Sequence, residues 1–163
     1  MDVKYRDFEI KDKETIINLI DELQKFASNL DPIKRATWKP GFGEYVYKEM
    51  VESFEKYNGK CVVAVVDNTL VGYLWGLIPA TQSPESLLSV IPSKLGVLKD
   101  AYINEKYRGQ HIGSTLIEKM ETYFKEQGCD AVWLQVFVPN KSAYNLYKKL
   151  GYLERDLEML KNI

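Results

Sequence analysis

The segment 97–114 combines residue types that could hold a phosphate group. A run rich in β-formers, 97–103, leads into a polar loop with Arg108, Gly109 and Gly113, and an amphipathic helical pattern follows at once. The free backbone N–H groups of a helix's first turn point at one spot, and the helix dipole favours negative charge there. Glycine lets such a loop take unusual backbone angles and lets a phosphate approach closely. The segment therefore predicts a pyrophosphate site.

A second segment, 140–152, carries a tyrosine that could move a proton. Asn140 precedes a helical pattern as a candidate N-cap, and Ala143, Leu146, Tyr147 and Leu150 fall on one face. A tyrosine with a pKa near about 10 can hydrogen-bond to a departing thiolate and protonate it. Periodicity alone favours a core stripe, so the pattern by itself does not assign the catalytic role to Tyr147.

These two segments resemble conserved motifs of the GCN5-related N-acetyltransferases, the GNAT family. Motif A of that family reads Arg/Gln-x-x-Gly-x-Gly/Ala after a strand, and here the stretch 108–113 reads RGQHIG, with His111 in place of the penultimate glycine. The later segment is similar to the family's Asn…Ala…Tyr…Gly-Phe/Tyr pattern, from Asn140 to Gly151-Tyr152. Together the motifs span roughly 97–153.

The resemblance implies acetyl-CoA as cosubstrate and direct transfer of its acetyl group to a primary amine. It implies that Tyr147 is the general acid for the CoA thiolate. It also implies that backbone groups of the strand end pair with the pantetheine arm, next to a bulge and a splay that the sequence does not show. The implied cofactor-binding residues are Ala101, Tyr102, Ile103, Arg108, Gly109, Gln110, His111, Ile112, Gly113, Ser114, Asn140 and Ala143.

His111 is the departure from the family pattern that bears on cofactor binding. Glycine at this position keeps the loop open to phosphates, so a histidine is expected to fit only with a negative φ and an outward ring. We expect an exposed first-turn side chain and intact acetyl-CoA binding. If the ring instead faces a phosphate, binding would strengthen below about pH 6.5, where a histidine charges.

The acceptor is an amine, in a small molecule or a peptide, whose identity the sequence does not give. The stretch 100–114 is especially similar to the polyamine acetyltransferase branch, but Lys99-Asp100 replaces that branch's Glu-Asp pair, and a lysine would repel a polycation. Asp100 is the nearest acidic candidate for a base, but a buried or salt-bridged role is favoured, so no base is assigned. Candidate walls of an acceptor pocket, each equally suited to ordinary packing, are Trp38, Phe42, Tyr45, Tyr73 and Trp75.

Two other functions are possible alternatives to acetyl transfer. A Rossmann dinucleotide site needs Gly-x-Gly-x-x-Gly and an acid at the end of the next strand, whereas here Gly109 and Gly113 are separated by three residues and Asp130 begins that strand. A non-catalytic acyl-CoA-binding sensor or interaction module is the alternative. His111 and the missing base favour it, and Tyr147 argues against it.

Composition bounds the remaining classes. The 163 residues suit a single domain, 1–163, and a net charge of −1 indicates neither nucleic acid nor a membrane surface as partner. Cys61 and Cys129 are not spaced as metal ligands and His111 is the only histidine, so we expect no metal site. Two cysteines without a disulfide pattern are typical of a reducing compartment, so we expect a cytoplasmic location. Many members of the resembled family form dimers, so a homodimer is consistent with the resemblance, although the sequence shows no interface.

The elements that must position these residues can be read from hydrophobic periodicity and turn signals. They predict an α/β fold of the α+β mixed-sheet kind, in the order β-α-α-β-β-β-α-β-α-β, with helices on both faces, which matches the GNAT-like fold. The nearly all-apolar run 130–138 is expected to be a strand covered on both faces. The strands are placed at 3–10, 60–67, 70–78, 94–103, 130–138 and 152–160, and the helices at 12–27, 44–57, 110–127 and 140–150.

Overall fold

A computed structural model describes residues 2–80 and 82–163 of the chain. Five strands form one sheet in the spatial order β1-β2-β3-β4-β5. Three short 3₁₀ turns lie at Ile10–Asp12, Ser86–Leu88 and Glu105–Tyr107. In chain order the main elements are β1 (Val3–Asp7), α1 (Lys13–Leu30), α2 (Phe42–Lys56), β2 (Lys60–Val66), β3 (Thr69–Leu77), β4 (Leu95–Ile103), α3 (Ile112–Glu126), β5 (Ala131–Trp133) and α4 (Lys141–Lys149).

The sheet is mixed and covered on both faces, as the sequence predicts. Strands β1 to β4 pair antiparallel, and β5 pairs parallel to β4. One core joins α1 and α2 to the sheet through buried side chains such as Ile16, Met50 and Trp75. A second core joins α3 to the other face around Leu116 and Phe124, and α4 packs against it. Burial of these two apolar layers is the main force that holds the sheet between its helices.

The predicted strands 60–67 and 70–78 pair as a hairpin, and the turn residues explain it. Strands β2 and β3 are joined by Asp67 and Asn68, whose φ angles are +46° and +63°. Two consecutive left-handed residues make the tight turn whose twist matches that of the flanking strands, and Asp and Asn tolerate this conformation.

Helix α1 begins where predicted, but Asp12 does not cap it with its side chain. The carboxylate instead accepts two hydrogen bonds from the Arg6 guanidinium, at 2.6 and 2.8 Å, and one from the Glu9 N–H at 2.8 Å. The hydrogen bonds from Arg6 lower the pKa of Asp12 below its ordinary value. The helix then extends to Leu30, beyond the predicted end near residue 27.

Two predicted strands differ from the structure at the far edge of the sheet. Only Ala131–Trp133 of the run 130–138 pairs as a strand, and its outward side chains are exposed, so the prediction of a doubly covered strand is wrong. The stretch 152–160, predicted as a last strand, has no regular structure and is exposed apart from Tyr152, so that prediction is also wrong. A strand requires pairing with a neighbour, and no backbone hydrogen bond joins 152–160 to β5 or to another strand among the described residues.

Several classes of site are missing from residues 2–80 and 82–163. No helix there combines the length and the apolar character needed to cross a bilayer. No group of three or more His, Cys, Asp or Glu side chains there could hold a metal ion. Cys61 and Cys129 are free thiols, and Cys61 is buried.

Candidate functional site

The loop between β4 and α3 presents a run of unpaired backbone amides. None of the six backbone N–H groups from Gly109 to Ser114 donates to another described residue, whereas the Thr115 N–H donates to the His111 carbonyl at 3.1 Å. The residues lie at the N-terminus of a 15-residue helix, where the helix dipole adds positive potential. Such a concave row of amides is suited to an anion, and above all to a diphosphate.

His111 takes the backbone conformation that glycine would take in the family pattern. Its φ is +60°, in the left-handed region, so the expectation of a negative φ is wrong. Histidine is among the residues that tolerate this region best, and the His111 carbonyl is held by Ser114 Oγ at 2.8 Å and Thr115 Oγ1 at 3.1 Å. The side chain is exposed, as expected, and therefore leaves the amide row open.

Arg108 is tied to its own loop and to neighbouring rings. Its Nε donates to the Ile103 carbonyl at 3.0 Å, and its guanidinium lies 5.3 Å from the ring centre of Tyr102 and 5.4 Å from that of Phe26. An ion pair with Glu105 at 3.3 Å holds the other end. Arg108 therefore fastens the loop to β4 and α1, and its charge lies beside the amide row.

Strand β4 carries the bulge and the splay that the family resemblance implies. Trp75 of β3 faces Asp100, but Gly76 faces Leu98, so Lys99 is an extra residue in β4. On its other side, β4 pairs with β5 only from Leu95 to Val97. The edge of β4 over 98–103, including Ala101, Tyr102 and Ile103, therefore has no neighbouring strand among the described residues. A gap opens in the sheet next to these backbone groups.

Helix α4 is anchored beside this gap. Asn140 Oδ1 accepts the Ala143 N–H at 3.3 Å, which confirms the predicted N-cap. Gly113 keeps α3 close to both β4 and α4, because a Cβ there would lie 3.2 Å from Ile103 Cδ1 and from Leu146 Cδ2. The amide row, the open edge of β4 and helix α4 therefore converge on one region.

Tyr147 is half-buried on the inward face of α4. Its ring packs against the core that α3 covers and lies edge-to-face on Tyr152, with ring centres 5.7 Å apart. Burial raises the pKa of Tyr147 above its ordinary value, so the phenol stays protonated at neutral pH. The phenol of Tyr152, in contrast, donates to Glu121 at 2.6 Å. The phenol of Tyr147 has no hydrogen-bond partner among the described residues, which leaves its proton available.

A polar cluster that the sequence did not reveal lies on the opposite face of the sheet. Trp75 Nε1 donates to Asp100 Oδ2 at 3.0 Å, and the hydroxyl of Tyr73 is fully buried without a hydrogen-bond partner in the described residues. Burial raises the pKa of Asp100, although the hydrogen bond from Trp75 opposes this. Lys99 Nζ lies 3.4 Å from Glu49 Oε1 of α2. The bulge turns Lys99 and Asp100 to the same face, and no pattern in the sequence signals a bulge.

The predicted acceptor walls separate into two groups. Tyr73 and Trp75 have no exposed surface, so neither can line an open pocket. Trp38 is held on α1, where its Nε1 donates to Asp21 Oδ1 at 2.7 Å. Phe42 is half-buried and Tyr45 is 67% exposed, so these two remain available on α2.

Comparison with known proteins gives the same assignment by an independent route. A model of the Acetyltransferase (GNAT) family matches residues 23–152. An N-alpha-acetyltransferase from Sulfurisphaera tokodaii is 34% identical over 116 residues, which are 68% of this chain and 66% of the relative. A thialysine N-epsilon-acetyltransferase from Bos taurus is 31% identical over 157 residues, covering 91% of this chain and 83% of the relative.

Solved structures share the fold. A crystal structure of a mutant BH1408 protein from Bacillus halodurans superposes with a TM-score of 0.83 at 18% identity, covering 98% of this chain and 99% of the other. The structure of AAC(6')-Iy in complex with a bisubstrate analogue of CoA has a TM-score of 0.72 at 13% identity, covering 100% of this chain and 99% of the other.

Proposed function

The chain belongs to the GNAT family of acetyltransferases, and from that premise we propose how its residues transfer an acetyl group to a primary amine. It is an acyltransferase, and acetyl-CoA is its cosubstrate. The relatives are named as acetyltransferases, which favours an enzyme over the alternative of a non-catalytic acyl-CoA sensor.

The observation that carries the proposal is the row of free amides from Gly109 to Ser114. We assign the diphosphate of acetyl-CoA to these N–H groups, together with the side chains of Arg108, Gln110 and His111 at its rim. The unpaired edge of β4 at 101–103 and the capped start of α4, at Asn140 and Ala143, provide the groups that hold the pantetheine arm. When bound, acetyl-CoA supplies an activated thioester.

Tyr147 is the proposed general acid. Its half-buried, protonated phenol has no competing hydrogen bond in the described chain, so its Oη proton can pass to the thiolate as that group leaves. The neighbouring phenol of Tyr152 is already engaged with Glu121 and is therefore unsuited to the role. Backbone N–H groups at the gap would stabilise the negative charge that develops on the carbonyl oxygen.

Asp100 is the proposed proton acceptor for the incoming amine. It lies at the bulge of β4, beside the gap, on the face that α1 and α2 cover, whereas Tyr147 lies on the other face. The gap lets the amine and the thioester approach each other from opposite sides of the sheet. Burial raises the pKa of Asp100, which makes this carboxylate a better base than an exposed aspartate.

The acceptor is proposed to be an unhindered primary amine. The relatives named above are, by name, an N-alpha-acetyltransferase and a thialysine N-epsilon-acetyltransferase. Lys99, paired with Glu49 at the bulge, neutralises one carboxylate on this face, which disfavours a polycation and favours a singly charged amine. We also propose that residues 1–163 form a single domain, that the protein is a homodimer and that it is located in the cytoplasm.

A mass-spectrometric screen for acetylated products tests the function. The protein is incubated with acetyl-CoA and, separately, with thialysine, lysine, spermidine and peptides with a free N-terminus. We expect a gain of one acetyl group on one of these amines.

We expect Tyr147→Phe to lower kcat by about a hundredfold or more, while acetyl-CoA binding stays normal. Tyr144→Phe, which removes a surface phenol bonded to Glu154, is the matched control. Unchanged turnover in Tyr147→Phe would show that Tyr147 is not the general acid.

A further inference from the structure

A pair of opposite charges lies next to the carboxylate proposed as the base. Lys99 Nζ is 3.4 Å from Glu49 Oε1, so this ion pair joins the bulge of β4 to helix α2. The side chains of Lys99 and Glu49 are 38% and 43% exposed, whereas Asp100 is half-buried. An incoming acceptor therefore reaches the pair more readily than it reaches the base.

The pair and the base are linked through one indole ring. Trp75 Nε1 donates to Asp100 Oδ2 at 3.0 Å, and Lys99 Nζ lies 5.9 Å from the ring centre of Trp75. Burial is the main cause that raises the pKa of Asp100, and the charge of Lys99 lowers this pKa while that of Glu49 raises it. An amine that approaches Asp100 therefore meets the charges of all three groups.

A cation beside the base is unfavourable for a plain alkylamine. Such an acceptor is a positively charged ammonium until it gives its proton to Asp100, so Lys99 repels it. The repulsion is offset when the acceptor itself carries an anionic group that reaches Lys99. An exposed ion pair contributes little to stability, so Lys99 and Glu49 can exchange each other for charges of the acceptor at little cost.

We propose that Lys99 and Glu49 bind the zwitterionic head of a free amino acid whose side chain carries the primary amine to be acetylated. Lys99 donates to the α-carboxylate, Glu49 accepts from the α-ammonium, and the side-chain amine lies at Asp100. Each charge of the site then has an opposite charge of the acceptor as its partner. A polyamine leaves Lys99 unpaired. The inference rests on the proposed acetyl transfer and names the class of its acceptor.

Matched amines with and without the carboxylate test this class. The protein is assayed with ornithine and putrescine and with lysine and cadaverine, where the second compound of each pair lacks the α-carboxylate. We expect kcat/KM to be about tenfold or more higher for the amino acids. Lys99→Gln should remove this preference through a higher KM for the amino acid, and Lys99→Glu should reverse it. Lys48→Gln, which removes an exposed lysine 3.9 Å from Glu52 on the same helix as Glu49, should leave the preference intact.

Binding without turnover separates this inference from the proposed function. Calorimetry with the protein saturated by CoA should show that lysine binds about tenfold or more tightly than cadaverine. Glu49→Gln should weaken lysine but not Nα-acetyl-lysine, which lacks the α-ammonium. No binding of lysine, equal affinity for lysine and cadaverine, or a preference that survives Lys99→Gln would overturn the inference even if another amine is acetylated. The expected binding without acetylation of any amine would support the inference and contradict the transfer.

Discussion

At the scale of single residues, the site depends on side chains that the fold leaves without partners. Tyr147 and Tyr152 stand in edge-to-face contact, yet only Tyr152 is committed to a hydrogen bond, with Glu121. The difference between the two phenols comes from what α3 places opposite each of them. The family motif indicates Tyr147, and the packing adds that its hydroxyl, unlike that of Tyr152, is not already donated to another side chain.

The pH dependence of turnover tests the role of Asp100. A base must be ionised to accept a proton, so activity should rise with pH as Asp100 ionises, above its ordinary pKa of 3.8. The hydrogen bond from Trp75 favours the ionised form, so Trp75→Phe should raise that pKa and move the acidic limb to higher pH. Asp100→Asn should abolish this limb and lower kcat by about a hundredfold or more.

The matched control is Glu118→Gln, which neutralises an exposed carboxylate on α3. Its pH–rate profile should coincide with that of the unsubstituted protein. If Trp75→Phe is folded and its acidic limb lies at the same pH as that of the unsubstituted protein, the base is a group other than Asp100.

The left-handed backbone at His111 makes a prediction about stability. A β-branched residue tolerates positive φ poorly, so His111→Val should reduce the free energy of unfolding by about 1–2 kcal/mol. His111→Gly should not reduce it by as much, since glycine adopts this conformation without strain. Urea unfolding of the three proteins measures the difference. Equal stability of the valine and glycine variants would mean that residue 111 has a negative φ in solution.

At the scale of elements, the contact of α3 with the sheet requires glycine at position 96. A Cβ added at Gly96 of β4 would lie 2.3 Å from Cδ2 of Phe124, whose ring is fully buried. Gly96→Ala should therefore lower the free energy of unfolding by about 1–3 kcal/mol. Phe124→Leu removes the obstructing ring, so the double variant should lose less stability than the sum of the two single variants. Strict additivity in urea unfolding would show that helix and strand are not in this contact.

The elements themselves could be predicted well from the sequence where the signal is local. Four helices, the hairpin at Asp67-Asn68 and the cap at Asn140 follow from periodicity and turn chemistry. The strands at 130–138 and 152–160 could not be predicted reliably, because a strand exists only where a neighbouring ladder meets it. The family resemblance implies a bulge in this strand, but its place at Lys99 is a mismatch between two strands, which the residues alone do not show.

At the scale of the whole molecule, the two halves of the proposed site lie on opposite faces of the sheet. The amide row and Tyr147 belong to the side built from α3 and α4, and Asp100 with Glu49 belongs to the side built from α1 and α2. The short β4–β5 ladder leaves a gap through which the two sides meet. The family motifs predict the proposed cofactor side from the sequence alone, whereas the proposed acceptor side depends on contacts between distant segments.

The most direct test of the account is calorimetric titration of the protein with acetyl-CoA and with acetyl-pantetheine, which lacks the diphosphate and the adenosine 3′-phosphate attached to it. Charge-assisted hydrogen bonds from the amides of 109–114 should contribute about 3 kcal/mol, which corresponds to about a hundredfold in affinity. We expect acetyl-CoA to bind at micromolar concentration and acetyl-pantetheine to bind about a hundredfold more weakly. No binding of acetyl-CoA to folded protein, or equal affinity for the two compounds, would contradict the account.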